Sequence, residues 1–107
     1  MDLTCRAISD PNRRLVLDLL AEGERTVTEL LAHFPFSQPA LSKHLRVLRE
    51  AGLVVARPAG RERRYSLQAE GLRSVADWLR AYERFWTERL DALGDVLDAQ
   101  QGREESR

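Results

Sequence analysis

The sequence is poor in the residues that build metal centres and disulfide frameworks. It holds one cysteine, Cys5, and two histidines among 107 residues. A single cysteine excludes an intrachain disulfide, and zinc sites typically need about four converging thiolate, imidazole or carboxylate ligands. We therefore expect no bound metal and no cofactor. A lone free thiol also suits the reducing environment of the cytoplasm.

Long apolar runs are missing as well. No stretch approaches the roughly 20 apolar residues that cross a bilayer, and the first residues lack the apolar segment of a secretory signal. We expect a cytoplasmic protein with no membrane contact. The sequence also contains no glycine-rich phosphate loop and no nucleophile elbow. These absences predict that the protein is not an enzyme.

Charge is balanced over the whole chain but not along it. Seventeen Lys and Arg residues equal seventeen Asp and Glu residues, so the net charge is zero. Residues 34–66, however, hold seven cations against Glu50 and Glu62, which leaves +5 there and −5 elsewhere. Because the local field attracts a polyanion, this basic segment favours nucleic-acid binding.

The basic segment contains a predicted amphipathic helix over residues 38–51. Leu41, Leu45 and Leu48 fall at the i, i+4, i+7 spacing of one apolar stripe. The other side is polar and basic, and carries Pro39, Ser42, Lys43, Arg46 and Arg49. A helix with these two faces can bury its leucines and present its cations to DNA. A basic face is also common on helices that merely face solvent, so the flanking segments must decide between the two.

The predicted ends of this helix are marked by local signals. Ser37 is a good N-cap residue, because its hydroxyl can accept a bond from a first-turn N–H group. Pro39 is tolerated in the first turn, where N–H groups have no helical partner. Gly52 can end the helix with a positive φ.

The preceding segments predict three shorter helices. An apolar-leaning segment runs from Leu3 to Ile8, and Asp10-Pro11 reads as an N-cap followed by the first helical residue. Thr26 and Glu29 form a capping-box pattern that opens a helix before Pro35. The apolar face of the Asp10-Pro11 helix is predicted to contain Leu15, Val16, Leu19 and Leu20. Two helices joined by a tight turn, the second one basic, form a helix-turn-helix.

A β-hairpin is predicted directly after the basic helix, over residues 53–67, which we call the wing. Residues 53–56 are β-prone, residues 58–60 form a Pro-Ala-Gly turn cluster, and the return strand alternates. Three cations, Arg61, Arg63 and Arg64, lie at its tip and on its return strand. A basic hairpin that follows a basic second helix is typical of a winged helix-turn-helix.

Residues 70–99 predict a long dimerisation helix, followed by a polar tail over 101–107. This stretch lacks proline, contains two glycines, and repeats apolar residues every seven positions. At 1.5 Å per residue such a helix is about 40 Å long, which exceeds what a small domain can cover. Its apolar face therefore predicts a homodimer, although a helix folded wholly onto its own core is the alternative.

The predicted fold is mostly α-helical with a small β-hairpin (α+β): one winged helix-turn-helix domain over residues 1–100. Over about Leu3 to Leu97 the sequence resembles the ArsR/SmtB family of bacterial winged-helix repressors. The matching stretches are A-I-S-D-P-N-R-R-L-V-L-D-L-L, T-V-T-E-L-L, S-Q-P-A-L-S-K-H-L-R-V-L-R-E-A-G-L-V and G-R-E-R-R-Y-S-L. The resemblance implies a homodimer built on the first and last helices, and autorepression through operator binding.

The sequence departs from the metal-sensing pattern of that family. Metal sensors carry a Cys-x-Cys pair on the helix before the recognition helix, or a His/Asp/Glu set on the last helix. The stretch T-E-L-L-A-H contains no cysteine, and residues 70–99 contain no histidine. The resemblance thus implies a branch that does not respond to metal. A redox or metal sensor based on Cys5 is one alternative, and a winged-helix module for protein contact without DNA binding is another.

The predicted partners are double-stranded DNA and a second copy of the chain, with an unknown effector. The predicted DNA-binding residues are Ser37, Gln38, Pro39, Ser42, Lys43, His44, Arg46, Arg61, Arg63 and Arg64. The predicted dimer interface comprises Leu3, Ile8, Leu79, Tyr82, Phe85, Trp86, Leu90, Leu93 and Leu97. His44 lies at the edge of the leucine stripe, so packing with one hydrogen bond competes with a binding role.

Overall fold

The computed structural model describes residues 1–89 of the chain. The described residues divide into two units, the first ending at Val75 and the second beginning at Ala76. We predicted one domain over residues 1–100, whereas the structure places a division after Val75. The reason is that every residue of the hydrophobic core comes from the first unit. The predicted tail, and the predicted helix beyond Arg89, lie outside the described residues.

Four helices and a three-stranded sheet make up most of the first unit. In chain order the elements are α1 (Asp2–Ile8), α2 (Pro11–Ala21), β1 (Arg25–Thr26), α3 (Val27–Leu31), α4 (Gln38–Glu50), β2 (Val54–Ala59), β3 (Glu62–Leu67), a 3₁₀ helix (Ala69–Leu72) and α5 (Arg73–Arg80), which continues into the second unit. The mostly α-helical class, the helix-turn-helix (α3 and α4) and the wing (β2 and β3) are confirmed.

The predicted helix starts at Asp10 and Thr26 are confirmed by their hydrogen bonds. The Asp10 carboxylate accepts from the backbone N–H groups of Asn12 and Arg13, at 2.8 and 3.2 Å. The Glu29 N–H donates to Thr26 Oγ1 at 3.2 Å, while the Thr26 N–H donates back to Glu29 Oε1 at 3.3 Å. Both helices thus begin where a side chain satisfies N–H groups that have no helical partner.

The buried face of α2 differs by one residue from the prediction. Leu17 is buried with Val16, Leu19 and Leu20, whereas Leu15 is 39% exposed. At 100° per residue, the buried set is centred between Val16 and Leu20, and Leu15 lies about 120° from that centre. The prediction that Leu15 faces the core was wrong. It placed Leu15 in the apolar stripe of α2, whereas the structure places Leu17 there.

The sheet contains a short strand that the sequence did not predict. β1 pairs with β3 in antiparallel register, Arg25 opposite Tyr65 and Thr26 opposite Arg64, and the strand order is β1-β3-β2. Two residues are too few to show the alternation that identifies a strand. β1 nevertheless ties the wing to the residues that cap α3.

The core of the first unit surrounds α4. Leu41, Leu45 and Leu48 are essentially inaccessible to solvent, as predicted. Helices α1, α2 and α3 and strand β2 all pack against α4. Full burial of such a side chain contributes roughly 1.5–3 kcal/mol, so the leucine stripe fixes which face of α4 remains outside.

The predicted long helix is interrupted within the described residues. After α5 ends at Arg80, residues 81 and 82 form a turn, and residues 83–89 are helical again. The N–H groups of Ala81, Tyr82 and Phe85 donate to carbonyls three residues earlier, as in a 3₁₀ helix. A continuous helix was the wrong expectation, because the absence of proline does not determine whether a stretch keeps i→i−4 bonds.

A search of the described helices for a membrane span found none that is long and apolar enough to cross a bilayer.

Candidate nucleic-acid interface

The outer face of α4 is polar and basic in the structure. Burial of the leucine stripe turns Ser42, Lys43, Arg46 and Arg49 to the exposed side of the helix. These four side chains and Tyr65 of β3 line an open cleft of about 300 Å³. The predicted helix face therefore exists as one continuous surface beside the wing.

A second cleft joins the start of α4 to the tip of the wing. It has a volume of about 210 Å³, and its lining residues are Val27, Gln38, Arg61, Glu62, Arg63 and Tyr65. Tyr65 borders both clefts and is itself buried. The structure thus brings predicted residues of α4 and of the wing together around one aromatic side chain.

The cations of this surface form no ion pair in the part of the chain that the structure describes. Within the described residues, the ion pairs are Arg25–Glu22, Arg57–Glu24 and Arg80–Asp77. None of them includes a cation of the two clefts, namely Lys43, Arg46, Arg49, Arg61 or Arg63. A set of cations without ion pairs on one face attracts the phosphates of a nucleic acid.

The N-terminus of α4 differs in one detail from the prediction. Ser37 is the N-cap residue, but its side chain makes no capping hydrogen bond within the part of the chain that the structure describes. Pro39 removes one of the N–H groups that a capping hydroxyl normally uses. The Ser37 hydroxyl and the first-turn N–H groups therefore remain available to an anion at the positive end of the helix dipole.

Arg64 belongs to a different group from Arg61 and Arg63. It is half-buried on β3, directly across from Arg57 of β2. A side-chain hydrogen bond from Arg57 is the main cause that lowers the pKa of Glu24, and the charge of Arg64 adds to that effect. The pKa of Glu29 is lowered chiefly by its hydrogen bonds from Thr26, and Arg64 contributes there too. Arg64 thus lies close enough to act on the acids beside the wing, and it is not among the residues that line the two clefts.

His44 is half-buried rather than part of the exposed face. Its ring lies 5.5 Å from the ring of Phe36, measured between centroids, and its Nδ1 is 3.5 Å from Nη1 of Arg13. The position at the edge of the leucine stripe explains both contacts. The structure therefore gives His44 a packing contact, which was the alternative to direct binding.

Arg13 connects α4 with the first two helices. Its Nε donates to the carbonyl of Ala7 at 2.7 Å, and its Nη2 donates to the carbonyl of Arg6 at 2.9 Å. The same guanidinium reaches His44, while the Arg13 N–H is held by Asp10. One side chain thus satisfies carbonyls at the end of α1 and contacts α4.

Four lining residues were not among the predicted binding residues: Val27, Arg49, Glu62 and Tyr65. Arg49 was visible on the basic face of the predicted helix. Tyr65 could have been found as well, because strand alternation places it on the same side of β3 as Arg63. Val27 had no signal of this kind, since only the folded position of α3 brings it to the wing.

The predicted dimer residues have different degrees of exposure. Leu3 is 57% exposed, whereas Ile8 packs against the core of the first unit. In the second unit, Leu79 is half-buried, and Tyr82, Phe85 and Trp86 are exposed and line an open cleft of about 350 Å³ with Arg89. The remaining three, Leu90, Leu93 and Leu97, lie outside the described residues.

Metal ligands do not cluster in the described part of the chain. No group of three or more His, Cys, Asp or Glu side chains there is placed to hold a metal ion. Cys5 is an exposed free thiol on α1.

Comparisons with known proteins agree with this geometry. The family model described as "Bacterial regulatory protein, arsR family" matches residues 10–55. The HTH-type transcriptional regulator Rv2034 of Mycobacterium tuberculosis is 39% identical over 99 residues, which span 92% of this chain and 90% of that protein. The transcriptional repressor SdpR of Bacillus subtilis is 37% identical over 74% of this chain and 88% of its own length.

Two further similarities extend this picture. An arsenical resistance operon repressor of Staphylococcus xylosus is 45% identical over 63% of this chain and 64% of its own length. A crystal structure of an ArsR family transcriptional regulator superposes with a TM-score of 0.73 at 31% identity, covering 80% of this chain and 89% of that one.

The Asp10 carboxylate generates a prediction about pH. Partial burial raises its pKa, but hydrogen bonds from Arg13 and Asn12 and the charges of His44 and Arg13 outweigh this, so the pKa lies below its ordinary value of 3.8. A lowered folded-state pKa means that the carboxylate stabilises the fold above the unfolded value, and that this stability is lost as the pH falls through the folded one. We expect Asp10→Ala to lose about 1 kcal/mol at pH 7.

Asp10→Asn is the matched control, because an amide can cap the helix without a charge. Urea unfolding should show wild type more stable than Asp10→Asn by about 0.3–1 kcal/mol at pH 7. The difference should shrink as the pH falls below 3.8 and should vanish only below the lowered folded-state pKa. A difference that stays constant between pH 7 and pH 3 would contradict a charged cap.

Proposed function

Because the chain belongs to the arsR family of bacterial regulatory proteins, we propose that it is a repressor that binds an operator as a homodimer. The family and the relatives named above are transcriptional regulators, not enzymes. The observation that carries the proposal is the basic surface of α4 and the wing around Tyr65, whose cations form no ion pair among the described residues. Repression is inferred from the similarity to SdpR and to the operon repressor.

The proposed contacts follow from the positions of the side chains. Lys43 and Arg46, on the exposed face of α4, read base edges in the major groove, with Gln38 and Ser42 beside them. Ser37 and Pro39 lie at the helix N-terminus, where the dipole and unbonded N–H groups attract a phosphate.

The wing supplies a second set of contacts. Arg61 and Arg63 meet phosphates or the minor groove, and both line the cleft next to Gln38. In this proposal Arg64 stabilises the base of the wing, and His44 positions α4 through Arg13. These two residues therefore support the DNA contacts without making them.

A second copy of the chain is the proposed partner in assembly. Leu3 in the first unit, and Tyr82, Phe85 and Trp86 in the second, expose large apolar side chains. Exposed apolar groups of this size are usually covered by a partner in soluble proteins. A two-fold dimer places its recognition helices about 34–36 Å apart, so the operator should be an inverted repeat. Since the target is DNA, we place the protein in the cytoplasm.

The proposed repressor does not respond to metal. The support is the donor set, with one cysteine and two histidines in the whole sequence. The similarity to an arsenical resistance operon repressor makes this point worth testing directly.

The DNA contacts can be tested by three arginine substitutions. Arg46→Ala should cost about 1–3 kcal/mol in operator binding and relax the sequence preference, because it removes a base contact. Arg63→Ala should weaken binding to all sequences and reduce the salt slope by about one unit, because it removes a phosphate contact. Arg64→Ala is the matched control on the adjacent residue. It should leave the salt slope unchanged and lower the stability to urea.

Fluorescence anisotropy with the duplex upstream of the coding region, at several salt concentrations, gives all these quantities. Wild-type salt slopes and affinities for both Arg46→Ala and Arg63→Ala would refute the proposed interface.

The dimer can be tested by Trp86→Ala. Removal of this large side chain should weaken the dimer by about 2 kcal/mol or more, as expected at the centre of an interface. DNA affinity should fall with it, although Trp86 itself touches no DNA. Val55→Ala removes an apolar side chain of similar exposure from the wing, and should leave the dimer intact.

Sedimentation equilibrium and an operator titration measure both effects on the same samples. The model is wrong if wild type is a monomer at micromolar concentration, or if Trp86→Ala remains dimeric.

The absence of metal regulation predicts that Zn²⁺, Cd²⁺ and arsenite leave operator affinity unchanged. Cys5→Ser should behave like wild type in the same titrations, because a lone thiol per chain cannot complete a site. A stoichiometric loss of affinity with Zn²⁺ that a chelator reverses would overturn this. If Cys5→Ser abolished that loss, the site would be formed by the Cys5 thiols of two chains.

A further inference from the structure

The wing contains one acid in a basic segment. Glu62 is the only Asp or Glu between Leu53 and Leu67, and it stands between Arg61 and Arg63. It lines the same cleft as these two arginines. A carboxylate in this position can pair with a neighbouring cation or repel an approaching phosphate. A surface that binds a polyanion therefore needs to control where this carboxylate lies.

The structure shows what holds the carboxylate of Glu62. The hydroxyl Oγ1 of Thr28 donates to Glu62 Oε1 at 2.5 Å, across 34 positions of sequence. Thr28 belongs to α3, the first helix of the helix-turn-helix. This bond links a side chain of α3 directly to the first residue of β3.

The start of α3, which contains Thr28, is held by several contacts. Two residues earlier, Thr26 closes the capping box with Glu29 and pairs with Arg64 in the sheet. Thr28 therefore has a fixed position in α3. Its hydrogen bond holds the Glu62 carboxylate next to that helix.

A second link holds the other strand of the wing. Arg57 of β2 donates to Glu24 at 2.7 Å, just before β1. Both strands of the hairpin are therefore tied to the stretch from Glu24 to Thr28. The two links differ in one respect. Glu24 forms an ion pair with Arg57. Thr28 is uncharged, so it can hydrogen-bond the Glu62 carboxylate while no cation is engaged.

We infer that Thr28 is a positioning residue for DNA binding, because it holds the Glu62 carboxylate against α3 and thereby keeps Arg61 and Arg63 free for phosphate. The inference rests on the proposed function of the wing. Without the Thr28 hydroxyl, the Glu62 carboxylate is free to approach Arg61 or Arg63, with which it lines one cleft. One phosphate contact is then lost, although no cation has been removed from the sequence.

Four variants of the full chain test this inference. Thr28→Val keeps the shape and removes the hydroxyl, and should weaken DNA binding about threefold to fivefold, the size of one exposed charge contact. Thr28→Ser keeps a hydroxyl and should bind like wild type. Glu62→Gln removes the negative charge and should bind more tightly than wild type. The double variant Thr28→Val/Glu62→Gln should regain the affinity that Thr28→Val lost.

The salt dependence separates positioning from a general loss of structure. Thr28→Val should flatten the salt slope by about one unit, since one arginine leaves the phosphates. The double variant should restore the slope. Thr28→Ala serves as a second variant without the hydroxyl, and urea unfolding verifies that each protein is folded. The probes are the upstream duplex and a random-sequence duplex of equal length.

The outcomes distinguish this inference from the function on which it rests. Wild type that binds neither duplex would refute the proposed function. The inference fails if wild type binds and Thr28→Val keeps its affinity and slope. It also fails if the double variant binds as weakly as Thr28→Val, because the loss of DNA affinity would then not depend on the charge of Glu62. Restoration of both affinity and slope supports it.

Discussion

Burial of the leucine stripe of α4 is the constraint on which the rest of the structure depends. A helix of this length cannot bury Leu41, Leu45 and Leu48 without exposing the opposite face, because the residues advance by about 100° each. Three helices and a strand pack against the stripe, so the core and the basic surface are two sides of one element. A substitution that loosened the core would therefore also misplace the cations.

Much of this arrangement could be predicted from the sequence. The Asp10 cap, the Thr26–Glu29 capping box and the leucine spacing are local patterns, and each depends on residues within about one to two turns of one another. The wing was also predictable, because a turn cluster and an alternating return strand lie next to each other in sequence. What these patterns give is the identity and order of the elements.

The structure was needed where distant segments meet. β1 has two residues and no periodicity, so only its pairing with β3 reveals it. The different surroundings of Arg63 and Arg64 depend on which residues of β3 lie near Glu24 and Glu29. The last helix is interrupted at residues 81 and 82, although neither residue is proline or glycine. In each case the sequence permitted more than one outcome, and long-range packing selected one.

The strand order β1-β3-β2 has a consequence for how the protein behaves at high concentration. The middle strand is β3, and the two outer strands are the ones that could recruit a strand from another molecule. β1 is only two residues long, and β2 carries Pro58, which has no N–H to donate, and the charged Arg57. Neither edge strand of the sheet can therefore pair well with a strand of another molecule. This disfavours aggregation through the wing when many copies are close together on DNA.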